Sequence, residues 1–502
     1  MKRIDQLTIT RFLVILLVLY SHGDTGIYSA FLERIPFFQE LLLAGPAGVS
    51  YFYVLSGFVM GLAYFRQGEE FNITKFWRAR FLRLYPLYLI AFLLTCAYYA
   101  DSILRIKPPK ILANIFIIQA WIPAYSQSFN YPAWSMTVEI FFYIVFPFFT
   151  IWAYKQSTKK LITGSLIFWA ISQIIYHILW IGYFPERKDI IVYSPIFHLN
   201  SFIIGVVGAI WYLREGRQQN LKPKTILLVF LASVIFVSVY TVISLRHINY
   251  FPYLPTGLQP MAGLLAPLMV LFCISLSLDQ SRLSKSLTHP AFLMLGEATY
   301  AIYILHVPLT WFYRRFLESS ALVTDPTRIF DVTAFPLLIG IGLFARICID
   351  QPIQTWLKNI MNRVSIPLLL LDLAIVTASV YLSFRLRFDH PREYASYQQM
   401  GRIIFYSAFF LRTALSVYFN TFNSAVLKLP LVQMLQPVFI SVTIGSAILT
   451  LIAYLGFNVG WFENFPRSVF VMDWLMVLSL SLLTRFVFRA FVMRQQKALL
   501  PS

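Results

Sequence analysis

Charged residues are scarce in this chain. They make up 13% of its 502 residues, about half the share usual in a soluble domain, and that shortage excludes a soluble globular protein of this length. Acids are the rarest: 22 Asp and Glu stand against 41 Lys and Arg, a formal charge of +19. Such an excess can signal nucleic-acid binding, but here the basic residues sit mostly at the ends of apolar segments, as topology signals do. Cysteine is scarcer still. Cys96, Cys273 and Cys348 lie in separate apolar segments without pairing or metal-ligand spacing, so neither a disulfide framework nor a metal site is expected. The sequence has no Gly-x-Ser-x-Gly elbow and no Gly-x-Gly-x-x-Gly after a strand, so neither a serine acyl relay nor an NAD-binding domain is expected.

What is abundant is apolar. Hydrophobic residues reach 58% and aromatics 17%, and apolar runs recur along the whole chain, separated by short loops with Pro, Asn, Lys and Arg. The reading is an all-α polytopic membrane protein, with about ten helices up to residue 350 and about four more from 365 to 490, each near the ~20 residues that a bilayer demands. Lys2 and Arg3 before an apolar run resemble the start of a signal peptide, yet no small-residue cleavage site follows, so a retained first helix is expected. Counting alternate loops puts Arg66, Lys75, Arg78, Arg80, Arg83, Lys155, Lys159 and Lys160 on the side of the N-terminus, with Arg214, Arg217, Lys222, Lys224, Arg282 and Lys285. The opposite side holds fewer, Arg34, Arg105, Lys107, Lys110, Arg187, Lys188 and Arg246, with Arg314, Arg315 and Arg328 weighing against the trend. The balance predicts a cytoplasmic N-terminus. The stretch 111–135 is too short and too rich in Pro and polar residues for a span, and reads as a loop or re-entrant segment over the outer face.

Within the apolar segments some polar groups stand out, because a charge placed in hydrocarbon costs roughly 2.5–3.5 kcal/mol even on the mildest scales. Arg11 and His22 share the first segment. Eleven residues apart, they fall on nearly one helix face, roughly 16 Å apart along the axis; the pair reads either as a site or as two interfacial flanks. Arg80 and Arg83 lie in Phe76–Pro86 and, if helical, form a fork for phosphate or a positive-inside anchor. Glu139 lies near the start of an apolar helix and needs a partner, for which His22 or Arg11 is the candidate. Tyr300, Tyr303 and His306 make a further polar stripe in Leu295–Pro308. Together these predict a buried polar cavity. The remaining histidines, His177, His198, His247, His289 and His390, read as interfacial or solvated residues, and their spacings match no metal site.

These residues carry a resemblance. Residues 1–360 resemble the integral membrane acyltransferase family 3, through Arg11 and His22, Gly48-Val-Ser-Tyr-Phe-Tyr-Val-Leu-Ser-Gly-Phe58, Arg80 to Pro86, Trp134-Ser-Met-Thr-Val-Glu139, and Gly296 to Pro308, in the family's order. Two positions depart from it: Phe12 follows the first arginine in place of a small residue, and Asp350-Gln-Pro352 stands where the family has Glu-x-Pro. The resemblance implies transfer of an acyl group, usually acetyl, from cytoplasmic acyl-CoA to a hydroxyl of a surface polysaccharide or lipid-linked sugar, in a bacterial cytoplasmic membrane. His22 would act as base or as transient acyl carrier, with Glu139 orienting the imidazole or stabilising its protonated form, and Arg11 holding the donor's thioester end or an acidic group of the substrate. Arg80 and Arg83 would bind the CoA phosphates, and Ser56, Trp134, Tyr300, Tyr303 and His306 would line the substrate cavity.

Residues 361–502 are similar to the four-helix membrane anchor of polysaccharide-biosynthesis nucleotide-sugar dehydratases, in Leu371 to Asp389 and Pro466 to Asp473. No dinucleotide-binding domain accompanies them, so no dehydratase activity is expected. Arg385, Arg387 and Asp389 read as ordinary interfacial charges at a helix end. The competing reading is a transporter or flippase of a lipid-linked glycan, which many spans around a polar cavity would also suit. Such a protein commonly shows an internal repeat, and none is visible here. It would have no need of an Arg–His pair beside an arginine fork.

Overall fold

The computed structural model describes residues 4–22, 45–99, 106–180, 189–216, 225–226, 228–229, 231–233, 235, 262–320, 324–361, 365–388, 397–423, 426–462 and 464–498. Among them the chain is helical, with no β-strand, and eleven helices are long and apolar enough to cross a membrane. The chain divides into two compact units, Met1–Gln354 and Thr355–Ser502.

In the first unit the labelled helices are α1 (Gln6–Ser21), α2 (Gly45–Tyr64), α3 (Ile73–Tyr98), α4 (Pro108–Ile115), α5 (Trp134–Tyr154), α6 (Thr158–Ile178), α7 (Pro195–Trp211), α8 (Ala266–Leu278), α9 (Pro290–Ser319) and α10 (Pro326–Phe344). Seven span-length helices begin before residue 355, and α1 and α8 are shorter apolar helices of 16 and 13 residues. Against about ten expected, that is nine among the described residues. The charges expected in loops at Arg34, Arg105, Arg187, Lys188, Arg217, Lys222, Lys224 and Arg246 lie outside the described residues, as do His247, Asp389 and His390.

Lipid tails are as apolar as leucine, so helices in a membrane are held by close packing rather than by hydrophobic burial. Small residues provide that closeness here. A Cβ on Gly57 of α2 would stand 2.1 Å from the carbonyl oxygen of Phe202 in α7, and one on Gly205 of α7 would stand 2.1 Å from that of Val54 in α2. Only glycine allows those backbones to touch. Gly296 does the same for α9: its Cβ would lie 2.1 Å from the Thr8 carbonyl of α1. Since Gly296 meets Thr8 near the start of α1 and His306 meets His22 at its end, α1 and α9 run in the same direction. Conversely, α6 turns Ile167, Ile171, Ile174, Ile175 and Ile178 outward, the exposed apolar face that a lipid-facing helix presents.

Two prolines shape the helices around the site. A proline inside a helix has no N–H for the carbonyl four residues earlier. Pro147 orphans the carbonyl of Tyr143, and the Trp77 indole donates to it at 2.8 Å. Pro308 orphans the carbonyl of Ile304, and the Asn130 amide donates to it at 2.8 Å.

Residues 108–133 form no span: α4 is followed by three single turns, Gln119–Trp121, Pro123–Tyr125 and Tyr131–Ala133. This agrees with a loop or re-entrant segment. Buried side chains tie it down: Asn114 donates to Ser128 at 2.7 Å, Gln119 donates to the Ala133 carbonyl at 3.1 Å, and Tyr88 of α3 donates to the Asn114 carbonyl at 2.7 Å.

The second unit contains the four expected spans, α11 (Ile366–Arg387), α12 (Gln398–Tyr418), α13 (Leu431–Asn458) and α14 (Arg467–Ala498). Two buried ion pairs tie them. Arg412 of α12 grips both carboxylate oxygens of Asp473 on α14, with Ser379 of α11 and Ser446 of α13 completing the shell. Arg485 of α14 grips Asp372 of α11 in the same bidentate way. Arg387, read as an interfacial charge, donates to Ser468 at 3.0 Å.

Candidate active site

A cavity of about 140 Å³ opens in the first unit. Its wall takes Arg11 and Ile15 from α1, Tyr53 and Ser56 from α2, Arg80, Arg83 and Leu84 from α3, Ser135, Glu139 and Tyr143 from α5, and Glu297, Tyr300 and Tyr303 from α9. Each of the five motifs read from the sequence contributes to it.

Glu139 is the carboxylate at its centre of bonding. It accepts from the Ser56 hydroxyl at 2.8 Å and from the Tyr143 phenol, one turn along its own helix, at 2.7 Å. Arg80 is half-buried in an aromatic cage, 5.7 Å from the Tyr64 ring and 5.9 Å from those of Phe76 and Tyr143, and it donates to the Tyr64 hydroxyl at 3.3 Å. Its Nε is buried with no hydrogen-bond partner among the described residues, as is the Tyr53 hydroxyl. Arg83, one turn on, is the more exposed of the two.

At the same end of α9, Glu297 lies 4.0 Å from Arg346, which also pairs with Asp350 at 2.6 Å. Arg346 and Asp350 sit in a π-helical turn, Ala345–Asp350, a distortion often found at functional sites. Asp350, the residue that departs from the family's Glu-x-Pro, is buried and also accepts from Gln354 at 2.8 Å.

Tyr300 and Tyr303 line the cavity but spend their phenols on structure. Tyr300 donates to the Leu84 carbonyl at 2.6 Å. The Tyr303 hydroxyl lies 2.9 Å from the Pro132 carbonyl and 2.8 Å from the Ser135 hydroxyl. They thereby pin α9 to α3 and α5.

His22 follows the last residue of α1, and its Nδ1 lies 3.0 Å from Nε2 of His306. The two ring planes are parallel to within 1°, with centroids 5.1 Å apart. Nδ1 of His306 lies 2.5 Å from the backbone oxygen of Tyr303, and the Tyr131 ring packs edge-on to His22 at 5.2 Å. Tyr303 thus touches both places: its side chain lines the cavity and its carbonyl holds the histidine pair.

Several expectations change on this geometry. Glu139 is held by Ser56 and Tyr143, and of the two partners expected for it, His22 is set against His306 while Arg11 shares the cavity wall. None of His22, His306 and Trp134 is among the residues of the cavity wall. Trp134 packs instead on Tyr193 at 5.0 Å and on His198 at 5.4 Å. His198, read as interfacial, is fully buried, with Nε2 2.8 Å from the Val192 carbonyl. His177 is half-buried beside the Gln173 carbonyl, and His289 caps α9 by accepting from the Ala291 amide. Sequence reading missed Tyr143, whose four-residue spacing from Glu139 was a usable signal. It also missed Asn130, whose signal was the carbonyl that Pro308 strands.

Comparison with known proteins places the chain in a family. Acyltransferase MdmB of Streptomyces mycarofaciens is 24% identical over 288 residues, 52% of this chain and 67% of that protein. Peptidoglycan O-acetyltransferase OatA of Listeria monocytogenes is 24% identical over 286 residues, 53% of this chain and 45% of the relative. O-acetyltransferase OatA of Staphylococcus aureus is 21% identical over 330 residues, 62% of this chain and 53% of the relative. The chain thus spans about half the length of the two O-acetyltransferases. No solved structure matches it. The acyltransferase domain profile matches residues 4–421, reaching past the boundary near 360 expected from the motifs and into the first two helices of the second unit. This multi-pass chain therefore belongs to the acyltransferase family whose five motifs converge on the Arg11–Glu139 cavity.

Proposed function

We propose that the protein is a membrane O-acyltransferase that moves an acyl group, in the first instance acetyl, from cytoplasmic acyl-CoA to a hydroxyl of a surface polysaccharide or lipid-linked sugar. The observation that carries this reading is the convergence of all five motifs on one cavity in which arginines outnumber carboxylates, Arg11, Arg80 and Arg83 against Glu139 and Glu297. A site of that charge fits an anionic donor, and in this reading Arg80 and Arg83 bind its phosphates. The buried Arg80 Nε and Tyr53 hydroxyl are donors left over for a ligand.

With the N-terminus in the cytoplasm, Arg11 and Glu297 lie toward the cytoplasmic ends of α1 and α9, and His22 lies toward the outer face. The donor enters through the arginine end, and its thioester reaches His22 along the Tyr303 wall. His22 takes the proton of the acceptor hydroxyl. The oxygen attacks the thioester carbonyl carbon, the carbon–sulfur bond breaks, and His22 returns the proton to the departing thiolate. Glu139 balances the arginines. The helices of the second unit, by their likeness to the dehydratase anchor, are proposed to hold the enzyme near polysaccharide-biosynthesis proteins.

The test compares the ester content of surface glycan, by proton NMR and mass spectrometry, in cells carrying intact protein or His22→Ala at equal protein level. Loss of one acyl signal supports the reading. An unchanged acyl pattern with altered glycan export would replace it with the transporter.

A further inference from the structure

We propose that His306 is a positioning residue that fixes the tautomer of His22 and leaves its Nε2 as the reactive atom. The inference rests on the acyl-transfer reading above and adds a residue-level role to it.

Donors and acceptors fix the tautomers of both rings. The carbonyl of Tyr303 carries no proton, so the 2.5 Å bond to Nδ1 of His306 requires the proton on that nitrogen. A neutral imidazole protonated at Nδ1 has a bare Nε2. That bare nitrogen faces Nδ1 of His22 at 3.0 Å, so Nδ1 of His22 must be the donor. Neutral His22 is then left with its lone pair on Nε2, pointing away from His306. The facing nitrogens are at hydrogen-bond distance and the two ring planes are parallel to within 1°, an arrangement that an N–H···N bond between imidazoles can adopt. The carbonyl, His306 and His22 form an orienting chain, in which a backbone oxygen and a neutral imidazole do what a carboxylate does for the histidine of a serine-protease triad.

The surroundings hold the chain in place. His306 is buried in α9, where its own carbonyl accepts from Thr310 at 2.8 Å. Pro308 breaks the regular bonding beside it, and Asn130 takes up the Ile304 carbonyl. Edge-on contact with Tyr131 fixes the His22 ring from a second side, at 5.2 Å. His22 is only half-buried, so its far edge can meet a substrate. His306 itself touches no substrate in this scheme. Its role is to decide which nitrogen of His22 is basic.

The experiment uses full-length protein in native membranes, with acetyl-CoA as the donor and released CoA thiol as the readout. Wild type and His22→Ala are compared first; equal release from both would sink the acyl-transfer reading itself, whatever His306 does. Given a difference there, His306→Leu removes the acceptor while keeping bulk, and His306→Gln keeps an oxygen able to accept from His22. The expected result is a fall in kcat of about 10²–10⁴-fold for His306→Leu, the range of general-base catalysis and of tautomer loss in a triad. KM for acetyl-CoA should stay within about twofold, and His306→Gln should recover at least about tenfold of the lost kcat. If His306→Leu does not extract as a monodisperse protein, His306→Asn replaces it, because its amide is one methylene too short to reach His22. Unchanged kcat in the variant without an acceptor, or a Gln variant as poor as that variant, overturns the proposal.

Discussion

Glu139 takes hydrogen bonds from two neutral hydroxyls, Ser56 and Tyr143, in a cavity wall that also carries three arginines. Its charge therefore matters more than its shape. Glu139→Gln keeps the shape, turns one acceptor into a donor facing Tyr143, and leaves the arginines unbalanced. A hydrogen bond to a charged group is worth about 1.5–3 kcal/mol, so the CoA-release rate should drop roughly ten- to a hundredfold; an unaltered rate would remove Glu139 from the site. Arg83, exposed toward the cavity, is the better probe of donor binding than caged Arg80. Arg83→Ala should raise KM for acetyl-CoA about tenfold or more, about 1.4 kcal/mol of lost charge-assisted contact. KM for acetyl-pantetheine, which lacks the nucleotide phosphates, should move little, and steady-state kinetics with the two donors checks it. At this scale, that Arg11, Ser56, Arg80, Arg83, Glu139, Tyr300 and Tyr303 would share one polar cavity was legible in the sequence, because polar groups in apolar runs are costly enough to be noticed. His22, Trp134 and His306 stand outside that cavity wall, since which neighbour a ring meets depends on how helices cross.

Helix ends and breaks show why local signals go only part of the way. Three helices end with a residue in the left-handed region: Gly460 (φ 77°), Asn420 (φ 55°) and Ile117 (φ 54°). In each case the amide of the next residue bonds back five residues, from Trp461 to Gly456, Thr421 to Ser416 and Ile118 to Ala113, the usual helix-ending motif. Glycine and asparagine announce such an end; a β-branched isoleucine does not, and its strain is tolerated because it is buried in the packed loop. The proline-stranded carbonyls are another hidden signal. Asn130→Leu should leave the Ile304 carbonyl without its donor and cost about 1–3 kcal/mol. Combining it with Pro308→Ala, which restores an amide N–H to that carbonyl, should shrink the loss by half or more. Thermal unfolding of the two single variants and the double in detergent measures this as a double-mutant cycle, and additive losses would show that the amide and the missing N–H do not answer one another.

For the whole molecule, composition alone was enough for fold class, since a chain this poor in charge and rich in apolar runs has few other ways to fold. The span count was less legible, because α1 and α8 are shorter than a bilayer-crossing helix usually is. Helix direction adds what composition cannot. Because α1 and α9 run the same way, His22 and His306 reach the same side, and the cavity lies toward the end where both helices begin. If the N-terminus is cytoplasmic, the donor's polar end meets arginines on the CoA side and the histidines lie toward the acceptor's side. In protein lacking Cys96, Cys273 and Cys348, Lys159→Cys in the first turn of α6 and Lys107→Cys before α4 both place an exposed thiol on opposite sides of the expected topology. A membrane-impermeant maleimide should label Cys at 107 in right-side-out vesicles and Cys at 159 only after permeabilisation. The reverse pattern would put the arginine fork outside, away from any cytoplasmic CoA, and the donor assignment would fall with it.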